Sequence, residues 1–191
     1  MLYNVILFLH ILGAVLMFVA VGITLLAMLS MLFSTKTEGI RNWSALAVKL
    51  DGLLPFSVIL ILFPGLYLVF STWGWGNSWI NLSLTAIIIM TFMGPIINLR
   101  RLKSILNAAN AETNNVPSVL LLEKVRNGVL WNSVLIMTMM TFAILFVMTV
   151  KLSMIGSLVT FVLAIILGLI ASKILLGRVS KQSTLSTKIG M

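Results

Sequence analysis

The 191-residue chain has no cysteine, a single histidine and few charged residues. Without cysteine, disulfides, thiolate metal sites and cysteine nucleophiles are excluded. One histidine cannot form a two-histidine site within one chain. Charged residues make up 9% of the sequence and hydrophobic residues 60%, whereas soluble domains are about a quarter charged. The composition therefore excludes a water-soluble globular fold, and it also excludes disorder, which requires low hydrophobicity and high charge.

Charge is missing from two long stretches, residues 1–35 and 52–99. A helix needs about 20 apolar residues to cross the roughly 30 Å hydrocarbon core of a bilayer. The pattern predicts an all-α, polytopic transmembrane helix bundle with five spans, at about residues 2–33, 53–72, 79–99, 128–150 and 152–172. We expect residues 1–178 to form one transmembrane helical domain and residues 179–191 to form a polar cytoplasmic tail that frays.

Polar segments separate the predicted spans. Residues 34–51 form a polar connection and residues 107–117 a polar loop, after which a helix that starts polar continues into the fourth span. Glycine, asparagine and tryptophan in residues 71–79 predict a short hairpin at the membrane–water interface. Pro64 and Pro95 each remove a backbone donor inside a span, so we expect a kink at both positions.

The basic residues predict the orientation. Five spans place the termini on opposite sides, and an amino terminus outside leaves only Lys151 of the thirteen basic residues outside. This distribution follows the positive-inside rule, and it places the basic residues at lipid headgroups instead of nucleic acid. We therefore predict a multi-pass protein of the bacterial cytoplasmic membrane, with the amino terminus outside, the carboxyl terminus inside, the lipid bilayer as partner and no nucleic-acid partner.

Small residues indicate the faces on which helices pack, because association in lipid relies on close approach of the backbones. We expect one such face of the first span to point into the bundle; it consists of His10, Gly13, Met17, Ala20, Thr24, Ala27 and Met31. A stripe with a spacing of four residues marks the fifth span and consists of Gly156, Thr160, Ala164, Gly168 and Ser172. We favour packing of this stripe against a helix of the same chain, with a second copy as the alternative.

His10 lies inside the first span, where an ionisable group is a candidate for function. Tyr67 is expected at a similar depth in the second span. His10 and Tyr67 are therefore the candidate cofactor-binding residues, with His10 as a haem axial ligand, a copper ligand or a hydrogen-bond donor to a quinone. The cofactor is undetermined, and haem b is the named candidate. The alternative is a structural histidine paired with Tyr67, a threonine or a backbone carbonyl.

No catalytic residue and no metal site are predicted. No Asp or Glu lies inside a span, since Asp51 is at the inner border, and proton-coupled transport usually relies on buried carboxylates. The sequence also lacks a glycine-rich phosphate loop, a serine nucleophile elbow and a carboxylate pair. The twelve methionines are scattered and fit flexible apolar fillers better than copper ligands. These features favour a non-enzymatic protein over an enzyme.

Three short stretches resemble a known family: Leu9–Ala14, Pro64–Tyr67 and Met148–Lys151. Over roughly residues 1–151 the chain resembles a bacterial family of integral membrane proteins of unknown function. That family is distantly similar to the copper-resistance D membrane proteins and to the haem-binding membrane protoporphyrinogen oxidases, whose first span also opens with a Leu-His pair. The resemblance implies a helix bundle and places their histidine at His10. Those relatives use further intramembrane histidines or a lysine, which this chain does not have.

Three functions remain open on the sequence alone. The leading hypothesis is a non-enzymatic accessory or ligand-binding membrane protein. The second is a haem-, copper- or quinone-associated redox protein that uses His10, and two copies in a symmetric dimer would supply two axial histidines. The third is a small-solute permease lined by Thr, Asn and Ser. A homo-oligomer or a partner membrane subunit is compatible with each of them.

Overall fold

A computed structural model describes the backbone of residues 1–189 and the side chains of residues 1–179. Every regular element in this part of the chain is helical. The helices are α1 (Leu2–Leu32), α2 (Thr37–Asp51), α3 (Leu54–Leu68), α4 (Ser78–Met93), α5 (Arg100–Ala111), α6 (Val119–Val125), α7 (Gly128–Val150) and α8 (Met154–Ile189). Two π-helical segments, Val69–Trp73 and Gly94–Leu99, follow α3 and join α4 to α5.

Five helical stretches are long and apolar enough to cross a membrane: Leu2–Leu32, Thr37–Trp73, Ser78–Ala111, Val119–Val150 and Met154–Val179. The predicted all-α architecture with five spans is therefore confirmed. Large apolar side chains such as Phe63, Phe92 and Ile155 are mostly exposed on the outside of the bundle. Exposed apolar surface on this scale is typical of a surface that contacts lipid.

The helices extend further than predicted at one end of the bundle. Residues 34–51, predicted as a polar connection, contain α2, and α5 continues through Ala111, so the predicted loop 107–117 starts only at Glu112. We call this the basic end; it consists of α2, α5, α6 and the adjoining ends of α1, α7 and α8. The opposite end, with Trp73, Trp75 and Trp79, is the aromatic end.

Amphipathic packing explains these longer helices. Ile40 and Ala47 of α2 and Ile105 of α5 are buried in one apolar cluster with the last turns of α1 and the first turns of α7. A helix that buries one apolar face is stabilised by tertiary contacts even when its composition is polar. Composition alone therefore underestimated the helical content of this end.

The predicted continuous helix into the fourth span is wrong, because the chain breaks between α6 and α7. Asn127 is the N-cap of α7. Its side-chain oxygen accepts a hydrogen bond from the backbone N–H of Leu130 at 3.1 Å. The same oxygen accepts from the guanidinium of Arg101 at 2.9 Å. The indole N–H of Trp131 donates to the carbonyl of Val125 at 2.9 Å and so joins the two helices.

The predicted tail needs a correction as well. The helix α8 continues through Ile189, so most of residues 179–191 has helical backbone where fraying was expected. Gly190 and Met191 lie outside the described residues.

Both predicted small-residue faces pack within the chain. A Cβ at Gly13 would lie 2.8 Å from the carbonyl carbon of Leu60, and one at Gly168 would lie 2.6 Å from the Cα of Ile136. These distances bring α1 onto α3 and α8 onto α7 at backbone contact. The stripe on α8 is buried at Ala164, Gly168 and Ser172. Toward the aromatic end it shifts, and Ser157 and Phe161 are buried in place of Gly156 and Thr160.

The loop between α5 and α6 is tied to α2 by polar contacts. The guanidinium of Arg41 donates to the carbonyls of Ala109 at 3.0 Å and Glu112 at 3.1 Å. The carboxylate of Glu112 accepts from the hydroxyl and the backbone N–H of Ser118. The Ser118 hydroxyl is the main reason why the pKa of Glu112 lies below its usual value. These contacts join α2, the end of α5 and the start of α6 at the basic end.

Candidate functional site

His10 faces into the bundle from α1, as predicted, near the aromatic end. Its Nδ1 lies 2.8 Å from the carbonyl oxygen of Ile61 in α3. A carbonyl only accepts, so Nδ1 donates and the other ring nitrogen, Nε2, is left with a lone pair in a neutral ring. Gly65 makes room for this contact, since a Cβ there would lie 3.0 Å from the imidazole. The Trp73 ring packs edge-on against it, with ring centroids 6.2 Å apart.

The structure does not bring Tyr67 to His10. Tyr67 is 43% exposed on the outside of the bundle. Each helical residue advances about 100° around the axis, so Tyr67 lies roughly opposite Gly65, the position that contacts the imidazole. Of the three partners considered for a structural histidine, the backbone carbonyl is the one that His10 uses.

A small cavity beside His10 measures about 30 Å³ and is also lined by Trp73 and Met148. A cavity of this size holds about one or two water molecules. A porphyrin does not fit into it. A haem between two copies of the chain would therefore need a site other than this cavity.

A larger cavity of about 130 Å³ lies deeper in the bundle, toward the basic end. Residues of α1, α3, α4 and α7 line it, together with residues of α2, α5 and the π-helical segment between α4 and α5. It lies where the apolar cluster of the basic end meets the apolar cluster of the aromatic end, because Leu102 and Val134 of the first and Met17 and Ile144 of the second all line it. We call it the central cavity.

The π-helical segment after α4 borders the central cavity and helps to create it. Pro95 cannot donate a backbone hydrogen bond, and π-helical turns occur where the normal hydrogen-bond ladder is interrupted. The predicted irregularity at Pro95 thus takes the form of a π-helix, Gly94–Leu99. Gly94 leaves space on the cavity wall, since the nearest atom to a Cβ built there would be Met137 Cε at 3.7 Å.

Two polar atoms on the wall of the central cavity have no hydrogen-bond partner among residues 1–179. They are Thr24 Oγ1 and Asn98 Oδ1, and both side chains are 6% exposed. The amide nitrogen of Asn98 donates to the sulfur of Met137 at 3.1 Å. The amide oxygen, Oδ1, points away from Met137 and is the atom without a partner. Buried polar atoms nearly always have a partner, so each of these two calls for an explanation.

Asp51 also lines the central cavity, at its basic end. Its side chain is 6% exposed, and no Lys or Arg of residues 1–179 lines the cavity beside it. The three other hydroxyls on the wall each donate to a carbonyl of their own helix: Thr91 to Ile87, Thr138 to Val134 and Thr141 to Met137. The wall is thus mainly apolar, and its polar groups without a hydrogen bond inside their own helix are Thr24, Asn98 and Asp51 among the described residues.

Sequence patterns did not identify this site. They placed Thr24 on the inward face of the first span and Asp51 at the inner border, but they assigned no role to either and did not single out Asn98. Two features of the sequence could have indicated the site: the acidic residue Asp51 next to an apolar span, and Asn98 three residues after Pro95. Thr24, Asp51 and Asn98 all line the central cavity, and which side chains of α1, α2 and the π-helical segment face one space depends on how the helices pack, which sequence periodicity does not show.

Comparisons with protein families, curated proteins and solved structures find no match to this chain. The family resemblance described above therefore stays a prediction.

Proposed function

We propose that this chain is a non-enzymatic ligand-binding protein of the bacterial cytoplasmic membrane. The observation that supports this function is the central cavity, an apolar space of about 130 Å³ whose wall carries the Asp51 side chain and two buried polar atoms without a partner among residues 1–179, Thr24 Oγ1 and Asn98 Oδ1. An apolar cavity of about 150 Å³ is large enough to bind benzene. Ligand pockets are typically apolar with a few placed polar groups, and the central cavity has this character.

The proposed orientation places the amino terminus and the aromatic end outside and the basic end in the cytoplasm. Twelve of the thirteen basic residues then lie inside, in agreement with the positive-inside rule. The remaining one, Lys151, lies at the aromatic end with its ammonium 5.8 Å from the centre of the Trp79 ring. Tryptophan is enriched at membrane interfaces, so this end suits the outer headgroup layer. The central cavity then lies in the inner half of the membrane.

A pair of glycine substitutions tests whether the central cavity holds a ligand. Gly94→Leu places a side chain into the cavity without contacting backbone. Gly22→Leu is the matched control, because Gly22 is exposed on α1 and a Cβ there would have no neighbour within 4 Å. Small molecules are extracted from the purified wild-type protein and both variants and are quantified by mass spectrometry. We expect one species at near-stoichiometric amounts in the wild type and in Gly22→Leu, and its loss in Gly94→Leu.

The result that contradicts the proposal is equally definite. A wild-type protein with no stoichiometric small molecule, or a bound species that remains in Gly94→Leu, would remove the central cavity as its binding site. Thermal unfolding in detergent shows whether both variants are folded. If Gly94→Leu does not fold, Gly94→Ala adds a smaller group at the same position and should reduce the amount of bound species.

A redox or metal-binding function of His10 is the second candidate. The observation that favours it is the hydrogen bond from Nδ1 to Ile61, because metal-binding histidines usually donate their other ring nitrogen to a carbonyl or a carboxylate. Met148 lines the same small cavity and has a soft sulfur. Purified protein from cells supplied with haem and copper should then show a Soret band or stoichiometric metal that His10→Gln removes. Absence of both signals would end this alternative.

A further inference from the structure

We infer that the ligand of the central cavity is a small amphiphilic cation, an ammonium group on an apolar body. This inference rests on the ligand-binding function proposed above and specifies the chemistry of its ligand.

The buried carboxylate of Asp51 is the first argument. A carboxylate that is removed from water without a partner costs several kcal/mol. No Lys or Arg is among the residues that line the central cavity, as far as the side chains through Val179 show. A cationic ligand supplies the missing counter-charge, and hydrogen bonds between ionised groups are about twice as strong as those between neutral groups.

The two unpaired atoms of Thr24 and Asn98 are the second argument. Asn98 Oδ1 can only accept hydrogen bonds, and Thr24 Oγ1 has two lone pairs available. A primary ammonium has three donors and no acceptor. It therefore matches a wall that carries a carboxylate together with an unpaired amide oxygen and an unpaired hydroxyl. No ligand without a donor satisfies them.

Other ligand charges fit less well, although the chain as a whole has a net charge of +9. An anion would meet Asp51 and would find no basic side chain on the described wall of the cavity. A purely apolar ligand would give no hydrogen bond to Asp51, Asn98 or Thr24 and would exclude water from them. This raises the free-energy cost of leaving these groups unpaired.

Three six-carbon probes test the charge preference: hexylammonium, hexanol and hexanoate. Six carbons correspond to benzene, which a cavity of similar volume accepts. Dissociation constants are measured by titration calorimetry on the delipidated protein in non-ionic detergent. We expect hexylammonium to bind about tenfold or more tightly than hexanol, the ratio that one charged hydrogen bond supplies. Hexanoate should bind most weakly.

Two variants identify the residue responsible. Asp51→Asn should lower the affinity for hexylammonium about tenfold or more, while its affinity for hexanol stays close to that of the wild type. Glu38→Gln removes the same charge from an exposed position of the same helix, so it should leave all three affinities unchanged. This control separates a local contact from an effect of net charge.

Four outcomes overturn the inference. Equal binding of hexylammonium and hexanol by the wild type overturns it and leaves the ligand-binding function standing. So does a preference for hexylammonium that persists in Asp51→Asn or is lost equally in Glu38→Gln. Failure of all three probes to bind, together with the absence of any molecule that Gly94→Leu displaces, overturns the inference and the proposed function alike.

Discussion

At the scale of single residues, His10 and Asp51 are both ionisable side chains in contact with the apolar interior, and their surroundings differ. The imidazole of His10 has a backbone carbonyl as partner at 2.8 Å. The side chain of Asp51 is 6% exposed and lines the central cavity, where no Lys or Arg of residues 1–179 accompanies it. A buried polar group is stabilised by a hydrogen bond and costs free energy without one. The hydrogen bond to Ile61 therefore accounts for a histidine at this position without any ligand. For Asp51 we propose the ligand of the central cavity as the partner.

Two substitutions at His10 test its structural role. In His10→Gln the side-chain amide can still donate to the carbonyl of Ile61, whereas His10→Leu removes the donor. We expect His10→Gln to unfold close to the wild-type temperature and His10→Leu to lose about 0.5–1.5 kcal/mol. Thermal unfolding in detergent measures both. Equal destabilisation by the two substitutions would show that the hydrogen bond to Ile61 does not matter.

The inward position of His10 was predictable, and its partner was not. The spacing of small residues on the first span identified the inward face. Depth alone then suggested Tyr67 as the partner. Which residue of α3 meets the imidazole depends on the rotation of that helix about its axis, and Gly65 sets this by allowing the ring to approach. Depth is readable from hydropathy, whereas rotation depends on packing.

At the scale of helices, glycine determines how closely α7 and α8 approach. A Cβ at Gly168 would lie 2.6 Å from the Cα of Ile136. Any residue larger than glycine at this position would therefore force the two helices apart. In lipid, helix association depends on such close packing, because apolar side chains gain little from leaving a solvent that is itself apolar.

Gly168→Leu should therefore destabilise the bundle by about 1–3 kcal/mol through overpacking. Gly177→Leu is the matched control on the same helix, since a Cβ at Gly177 would have no neighbour within 4 Å. Unfolding temperatures in the same detergent should fall for Gly168→Leu and stay near the wild-type value for Gly177→Leu. A fall of the same size in both variants would argue against a specific contact between α7 and α8.

The helices themselves were predictable to different degrees. Long apolar runs identified all five spans, because each must cover the hydrocarbon core. The amphipathic helix α2 and the full length of α5 were not predicted, because the stability of these helices comes from one buried face and not from their composition. At Pro95 only a kink was expected where the structure has a π-helical turn, since the sequence shows where a donor is missing and not how the helix rearranges around it. At Pro64 the α-helix α3 continues through the proline.

At the scale of the whole molecule, charge and apolar surface are arranged along one axis. The basic end holds α2, α5 and α6 and their polar contacts, and the aromatic end holds the tryptophans and Lys151. The central cavity lies between them, with Asp51 at its basic end. If the basic end is cytoplasmic, a cation would reach Asp51 from the inner half of the membrane.

The central claim is that the chain crosses the membrane five times with its basic end in the cytoplasm, and reporter fusions test it most directly. A reporter that is active only in the cytoplasm is fused after Met191 in one variant and inserted after Asn77, in the turn between α3 and α4, in another. We predict an active fusion at Met191 and a silent one at Asn77, because five spans and the distribution of basic residues place these sites on opposite sides. Activity at both sites, or the reverse pattern, would contradict the account.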